Sequence, residues 1–361
     1  MKFVVFGAGR QGAAIVHDLT EAGHATLVVD RDSRALEAFR KRFAGRNVSS
    51  AEAELNDTPR IAHLLEGAGA AISAVPYFFN LQLAQAAIHA GVHFCDLGGN
   101  TGIVMNELRL DAHARARGVA IVPDCGLSPG MTNILAARAL ERVRSPHTLE
   151  IRVGGLPLHP APPLNYQLVF SIHGLLNEYL EPAEIVEHGA PRRVPPLTGE
   201  ETIAFDGFPE MEAFYTHGGV STLPGSYANL VRNINEKTVR YKGHAAAMRT
   251  MTADSRFPDR AALGAHLESI LPVSGPDVVL ARVRALGRDE QDRAVVEVID
   301  RADEVTGLSA MARTTGFSAA IVAMLAAGGK IPPGAHAQEL AVDPAAVIEE
   351  LRRRGIQVSE R

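Results

Sequence analysis

The first thirty residues constrain the fold most: an apolar run, Phe3-Val4-Val5-Phe6, then Gly7-Ala8-Gly9-Arg10-Gln11-Gly12, an amphipathic segment, a second apolar run and Asp30. The order reads as strand, glycine turn, helix, strand, acid. Gly7 permits the tight turn, Gly9 lets the backbone approach a pyrophosphate, and Gly12 lets the helix pack on the strand. The helix N-terminus, with Arg10 and Gln11 in its first turn, offers unpaired N–H groups and a partial positive charge to phosphates. Asp30 lies 18 residues past Gly12, close to the roughly 20-residue offset of the acid that binds a ribose diol. Glycine turns also join strands to helices for geometric reasons alone, but the acid at this distance predicts a bound dinucleotide. A carboxylate accepting from both ribose hydroxyls repels a 2′-phosphate, which favours NAD. Arg31, just past the strand, keeps NADP open as an alternative.

Composition narrows the ligand. At 361 residues the chain is long enough for two domains. Net charge is −5, aromatic residues are 5% and no basic block occurs, so the electrostatic footprint of a nucleic-acid binder is missing. A small molecule is the expected partner. The longest apolar stretch, Gly316 to Gly328, is too short to span a bilayer and suits a buried helix. Met1-Lys2 leads straight into the first strand without a signal-peptide pattern, so a cytoplasmic protein without membrane association is expected. Cys95 and Cys125 make no disulfide framework and read as small buried groups near strand ends. No HExxH or CxxC spacing occurs among the fourteen histidines, so no metal site is suggested.

Strands and helices then alternate. A charged helix over Ser33–Phe43, a weak strand near Asn47–Ser49 and a helix over Thr58–Leu65 precede a strand at Ala70–Val75. A helix over Leu81–Ala90, a strand at Val92–Cys95, a helix over Gly102–Ala116 and a strand at Val119–Val122 follow. This spacing predicts a Rossmann-type α/β fold, a doubly wound parallel sheet over residues 1–124. Its ligand edge gathers the strand ends: Gly7 to Gly12, Asp30, Val75-Pro76-Tyr77, Asp96-Leu97-Gly98-Gly99 and Asp124 to Gly130. Strand-like alternation at Thr148–Val153, Glu212–Thr216, Lys237–Tyr241, Val278–Ala285, Ala294–Ile299 and Val305–Ala312 predicts a second, α+β domain over 125–312. Leu156–Pro163 and Pro191–Pro196 read as surface excursions. From Thr314 a small-residue helix to Gly328, a Pro-Pro-Gly loop and a helix over Pro344–Arg354 are expected to return to the first domain, which assigns 313–361 to it.

Together these features resemble the saccharopine dehydrogenase family, and within it the lysine 6-dehydrogenase branch. The matching segments are Val4 to Gly12, Asp96-Leu97-Gly98-Gly99, Asp124 to Asn133, Val153-Gly154-Gly155-Leu156-Pro157, Tyr166 with Val169-Phe170-Ser171, Gly174-Leu175-Leu176 with Tyr179, Glu212-Ala213-Phe214, Gly218-Gly219, and Thr238 to His244. The Pro129-Gly130-Met131 and Arg240-Tyr241-Lys242-Gly243-His244 segments are the specific ones. The resemblance implies a nucleotide domain, a substrate domain carrying the interface of a homodimer or homotetramer, and an active site between them. For the lysine branch it implies NAD-dependent oxidative deamination of the side-chain amine of L-lysine to a semialdehyde that cyclises, with loss of ammonia. That chemistry needs a neutral amine, although a free amine of pKa about 10.4 is mostly protonated at neutral pH. It also needs a base and a dry pocket.

Within that frame Asp96 is the first candidate for the polar group facing nicotinamide and amine, or else a cap for the Gly98-Gly99 turn. Leu97, Val75 and Pro76 flank the cofactor, and Tyr77 either lines that pocket or fills it. Arg240 suits the substrate carboxylate, or is a sheet-surface charge. Glu178 with Asn177 suits the α-ammonium, or is solvated on a helix. His217 and His244 are candidate bases, or structural. His173 replaces an acid the family commonly carries, and His217 beside Gly218-Gly219 is unusual for the branch; both bear on the substrate rather than the reaction type. A saccharopine-type reductase would need a second arginine, for which Arg232 and Arg249 are available. A non-catalytic NAD sensor would have lost this polar set. Asp30→Ser should weaken NAD and improve NADP relative to it. Measured binding constants with an unchanged cofactor ratio would remove Asp30 from the ribose.

Overall fold

The computed structural model describes residues 1–289 and 291–361. The chain forms two compact units. The first comprises Met1–Ile134 and Ala312–Leu351, the second Leu135–Met311 and Arg352–Arg361.

In the first unit, β1 (Lys2–Phe6), β2 (Ala25–Asp30), β3 (Val48–Glu52), β4 (Ala70–Ser73), β5 (His93–Asp96), β6 (Ala120–Val122) and a late strand, β15 (Gly334–Ala335), form one sheet. Their order is β15-β6-β5-β4-β1-β2-β3 and every pairing is parallel. That is the expected doubly wound sheet. Its strands are short apolar runs because both faces are covered. Along β1, Phe3 and Val5 enter a core with Ile15, Leu19 and Phe39, extended by Ala319, Ala320 and Val322. Val4 and Phe6 enter the opposite core with Ile61, Leu65, Leu83 and Ala87. Cys95 and Cys125 are buried free thiols in the first core.

The second unit is a mixed sheet. Its strands are β7 (Pro146–Pro157), β8 (Ala183–Glu187), β9 (Ala190–Val194), β10 (Glu201–Ile203), β11 (Met211–Phe214), β12 (Asn233–Tyr241), β13 (Asp277–Gly287), β14 (Arg293–Arg301) and β16 (Gln357–Glu360). The main order is β10-β11-β12-β7-β13-β14-β16, with β8 pairing β12 and β9. Only β12 and β7 run parallel among these pairs. Helices Ile172–Leu180, His244–Thr252 and Arg260–Ile270 accompany it.

Several expectations change. The helix expected over Gly102–Ala116 is two, Thr101–Leu108 and Asp111–Arg117. Asp111 opens the second, binding Arg115 and accepting from Ala335 N at 3.0 Å, so its charge favours a new N-terminus there. The strand expected at Val305–Ala312 is a turn leading into the helix Ala310–Ala327. Asp303 accepts from Val305 N at 2.9 Å and Thr306 Oγ1 at 3.0 Å, a local turn that competes with sheet pairing. The apolar stretch is therefore part of an 18-residue helix, long and apolar enough to cross a membrane, with 83% of its residues buried inside the protein, as in a core helix. Pro191–Pro196 is not merely an excursion, since Ala190–Val194 pairs with β8 across the two-residue turn His188-Gly189. Leu156 and Pro157 still belong to β7.

The division between units also falls elsewhere than expected. It lies after Ile134 rather than 124, and the last ten residues belong to the second unit. The reason is electrostatic as well as ladder pairing: Glu360 on β16 binds Arg138 at 2.8 Å, Arg142 at 3.0 Å and Arg352 at 2.9 Å. In the same unit, fully buried Asp277 accepts from Ala310 N at 2.6 Å and Met311 N at 3.0 Å, satisfying the helix N-terminus from the start of β13. Asp277→Ala should lower stability by about 2 kcal/mol and Asp277→Asn by less. Urea unfolding checks this, and equal losses would show that the lost bonds are not the cause.

Candidate active site

The glycine turn has the geometry of a dinucleotide cradle. Gly7 sits at φ +107°, and a β-carbon on Gly12 would stand 1.9 Å from the Gly7 carbonyl oxygen, so the helix starts hard against the strand end. A β-carbon on Gly9 would meet nothing within 4 Å, leaving open space before the helix Arg10–Glu21, whose N-terminus has no side-chain cap. No side chain caps those first-turn N–H groups, which suits them to a phosphate. Asp30 closes the cradle: Oδ2 accepts from Ala8 N at 2.7 Å and Oδ1 from Asp32 N at 3.0 Å, fixing the carboxylate at the end of β2. Val75 packs by Gly7, while Arg10, Arg31 and Pro76 are exposed and Gln11 and Leu97 half-buried. These residues fit a dinucleotide.

At the carboxyl ends of β5 and β6 three acids cluster without exposure to water: Asp96, Glu107 and Asp124. Asp96 Oδ1 accepts from Gly98 N at 2.6 Å, so it does cap the glycine turn, and more weakly from Asp124 N at 3.4 Å. Buried Asn80 accepts at Oδ1 from Ser73 Oγ at 2.7 Å. Both carboxyl oxygens of Glu107 and Oδ2 of Asp96 are buried without a hydrogen-bond partner, and the two acids lie close enough for the charge of one to act on the other. Burial raises the pKa of both, and Asp96's charge lifts Glu107 further, so Glu107 keeps the proton at neutral pH. Tyr77 packs its ring over the bare α-carbon of Gly99.

The second unit concentrates charge around Arg240 on β12, which is 2% exposed. Its Nε donates to Tyr179 Oη at 3.0 Å, Nη1 to Val239 O at 3.0 Å and Nη2 to Glu178 Oε2 at 3.2 Å. The Tyr166 ring lies 4.6 Å from the guanidinium carbon. Arg240 is thus no sheet-surface charge. Burial pushes Glu178 up to about 7 although Arg240 opposes it, and pushes Glu236 up to about 8, helped by Glu178. Glu236 shares a strand face with Arg240, and its Oε2 has no hydrogen-bond partner.

Other candidates are committed elsewhere. His244 is buried, with Nε2 2.8 Å from Tyr179 Oη and Nδ1 2.9 Å from Leu164 O. Burial, reinforced by Arg240, draws it down to about 3, so it is a neutral imidazole supporting Tyr179, which corrects its reading as a base. Asn177 is taken by Arg260 rather than by a free ammonium position. Half-buried His217 sets Nδ1 2.9 Å from Pro182 O. Arg249 binds Leu197 O at 2.6 Å and Glu200 at 2.5 Å, and Arg232 binds His188 O at 2.5 Å. His173 is exposed. Sequence reasoning missed Glu107 and Glu236. The even spacing of Glu236, Thr238 and Arg240 along one strand was the available signal for the latter.

Residues 3–122 match the saccharopine dehydrogenase NADP binding domain and residues 126–356 the saccharopine dehydrogenase C-terminal domain. The chain belongs to the saccharopine dehydrogenase family. The family resemblance expected from the sequence, though not its lysine 6-dehydrogenase branch, is therefore borne out, and with it a nicotinamide dinucleotide as cofactor. The mitochondrial alpha-aminoadipic semialdehyde synthase of Rattus norvegicus is 23% identical over 261 residues, covering 68% of this chain and 27% of that protein. The saccharopine dehydrogenase [NADP(+), L-glutamate-forming] of Pyricularia oryzae is 24% identical over 257 residues, covering 66% and 54%. The match thus spans about a quarter to a half of these relatives. The apo saccharopine dehydrogenase (L-Glu forming) of Saccharomyces cerevisiae shares the fold, with TM-score 0.81 and 16% identity over 100% of this chain and 99% of that one.

Glu236 carries a stability signature. An acid raised from 4.5 to about 8 on folding supports stability fully below pH 4.5, and that support drains as pH rises through about 8. Wild-type melting temperature should therefore fall between pH 5 and 8 more steeply than that of Glu236→Gln. Parallel curves would mean the carboxyl is already ionised in the fold.

Proposed function

We propose that this member of the saccharopine dehydrogenase family oxidises the side-chain carbon–nitrogen bond of a basic amino acid, L-lysine or a close ω-amino acid, and releases ammonia. The observation that carries this is the buried Arg240 guanidinium flanked by two carboxyls of raised pKa. Three of its five N–H donors are spent on Tyr179, Val239 and Glu178, which leaves one on each terminal nitrogen for an incoming carboxylate. Glu178, which ionises at about pH 7, supplies the complementary negative charge for an ammonium group, and the neutral Glu236 carboxyl adds a polar acceptor beside it. A ligand of mixed charge matches that set.

A nicotinamide dinucleotide in the glycine cradle supplies the two-electron acceptor. The chain's own residues do the rest. Arg240 fixes the carboxylate, and Tyr179, held by His244, fixes Arg240. Glu178, 25% exposed and titrating at about 7, is suited to take the proton that an ammonium must lose before oxidation. Asp96, bonded to Gly98 N and Asp124 N, holds the glycine turn at the sheet edge in one conformation.

For the cofactor we favour NAD, because the fixed Asp30 carboxylate opposes a 2′-phosphate. The matched domain's description specifies NADP, for which exposed Arg31 would be the partner. A second substrate reading, a saccharopine-type reaction joining an amino acid to a carbonyl compound, is favoured by the names of the relatives. It needs another arginine for a second carboxylate, and the engagement of Arg232 and Arg249 elsewhere weighs against it.

The test is formation of reduced nicotinamide with NAD and each of several basic amino acids, with ammonia assayed in parallel. Signal with L-lysine and ammonia release is the expected result. Consumption of NADH only when an amino acid and a keto acid are both present would establish the saccharopine-type reading instead. Arg240→Leu should raise KM for L-lysine by about 100-fold, near 2.7 kcal/mol, and leave KM for 1,5-diaminopentane much less changed. Equal effects on both would remove Arg240 from the carboxylate.

A further inference from the structure

The second unit carries a pocket of about 390 Å³ lined by His147, His188, Arg232, Gly287 and Arg288. It lies at the start of β7, the β8–β9 turn and the end of β13. Four of its five lining residues are cationic or become so on protonation, and no carboxylate is among the described residues lining it. Like charges gathered this closely repel one another unless an anion joins them. None of these residues serves the proposed reaction.

Two of the donors are held in place before any ligand arrives. The Arg232 guanidinium crosses the α-carbon of Gly189 and donates from Nη2 to His188 O at 2.5 Å. Its backbone is pinned as well, donating to His147 O at 2.8 Å and accepting from Gly189 N at 2.7 Å. Asn233 organises the rest: Oδ1 accepts from His188 N at 3.0 Å, and Nδ2 donates to Thr148 Oγ1 at 3.1 Å and lies 3.4 Å from His147 Nδ1. Thr148 Oγ1 is also 3.1 Å from His147 Nδ1, so that nitrogen is engaged within the fold. Donors fixed in this way lose little freedom on binding.

We propose that this pocket binds the phosphate or carboxylate group of a small metabolite, as a second ligand site on a unit other than the one carrying the glycine cradle. The volume is in the range of small-molecule sites and exceeds that of a bare oxyanion. Arg232 and His147 Nε2 hold the anionic group, and Arg288 and His188 close over it.

The test uses the full chain with saturating NAD, so that the glycine cradle is filled. Inorganic phosphate and acetate are titrated calorimetrically at constant ionic strength, with chloride as the balancing salt. Saturable binding of either anion, weakened tenfold or more in Arg232→Gln and in Arg288→Gln, is expected. Preference for phosphate assigns a phosphorylated ligand, and equal response assigns a carboxylate. Arg288→Gln, on an exposed side chain, carries the test if Arg232→Gln fails to fold. Absence of saturable binding, or binding unchanged in the variants, overturns the site.

Discussion

The first unit depends on one backbone contact, the approach of Gly12 to the Gly7 carbonyl. Because no side chain separates them, the helix Arg10–Glu21 begins where β1 ends, and its N-terminal N–H groups, uncapped by a side chain at Gly9, stand at the carboxyl edge of the sheet. Asp30 ties the same turn to the end of β2 through Ala8 N. Any side chain at position 12 would push the helix off the strand. The cradle, the ribose acid and the parallel sheet therefore stand or fall together, since each is set by where that helix starts.

Charge burial organises the functional parts of both units, in opposite ways. Around Asp96 the fold gathers acids, and burial together with the charge of Asp96 raises the pKa of Glu107 so that it stays protonated and neutral. Around Arg240 it buries a cation and leaves two of its N–H groups unspent, with carboxyls brought towards neutrality by burial rather than by basic neighbours. The imidazole drawn lowest, His244, serves by staying uncharged beside Arg240 and orienting Tyr179. In the proposed reaction, proton transfer near neutral pH is assigned to Glu178 rather than to His244.

The legible part of the site was the part written locally. Gly7, Gly9, Gly12 and Asp30 declare themselves by spacing within one βαβ unit, and the helix Thr58–Leu65 has the bounds its pattern predicts. Arg240 stands out from its family segment. Glu107 does not, because what matters is that a helix apart in sequence delivers it to Asp96. Asn177 failed for the same reason in reverse: its partner, Arg260, lies 83 residues away. The strand expected at Val305–Ala312 was lost to a local Asp303 turn and a distant cap from Asp277, two competitors that alternation alone does not register.

By itself the sequence determined the doubly wound parallel sheet, the dinucleotide turn, the second α+β unit and the family, because glycine geometry, apolar periodicity and short motifs act over a few residues. Only the tertiary structure decided the protonation of Glu107, the neutrality of His244, the partnership of Glu178 and Glu236 with Arg240, and the return of the last strand to the second unit. Those depend on desolvation and on contacts between residues far apart in the chain, and both exist only once the chain has closed around them.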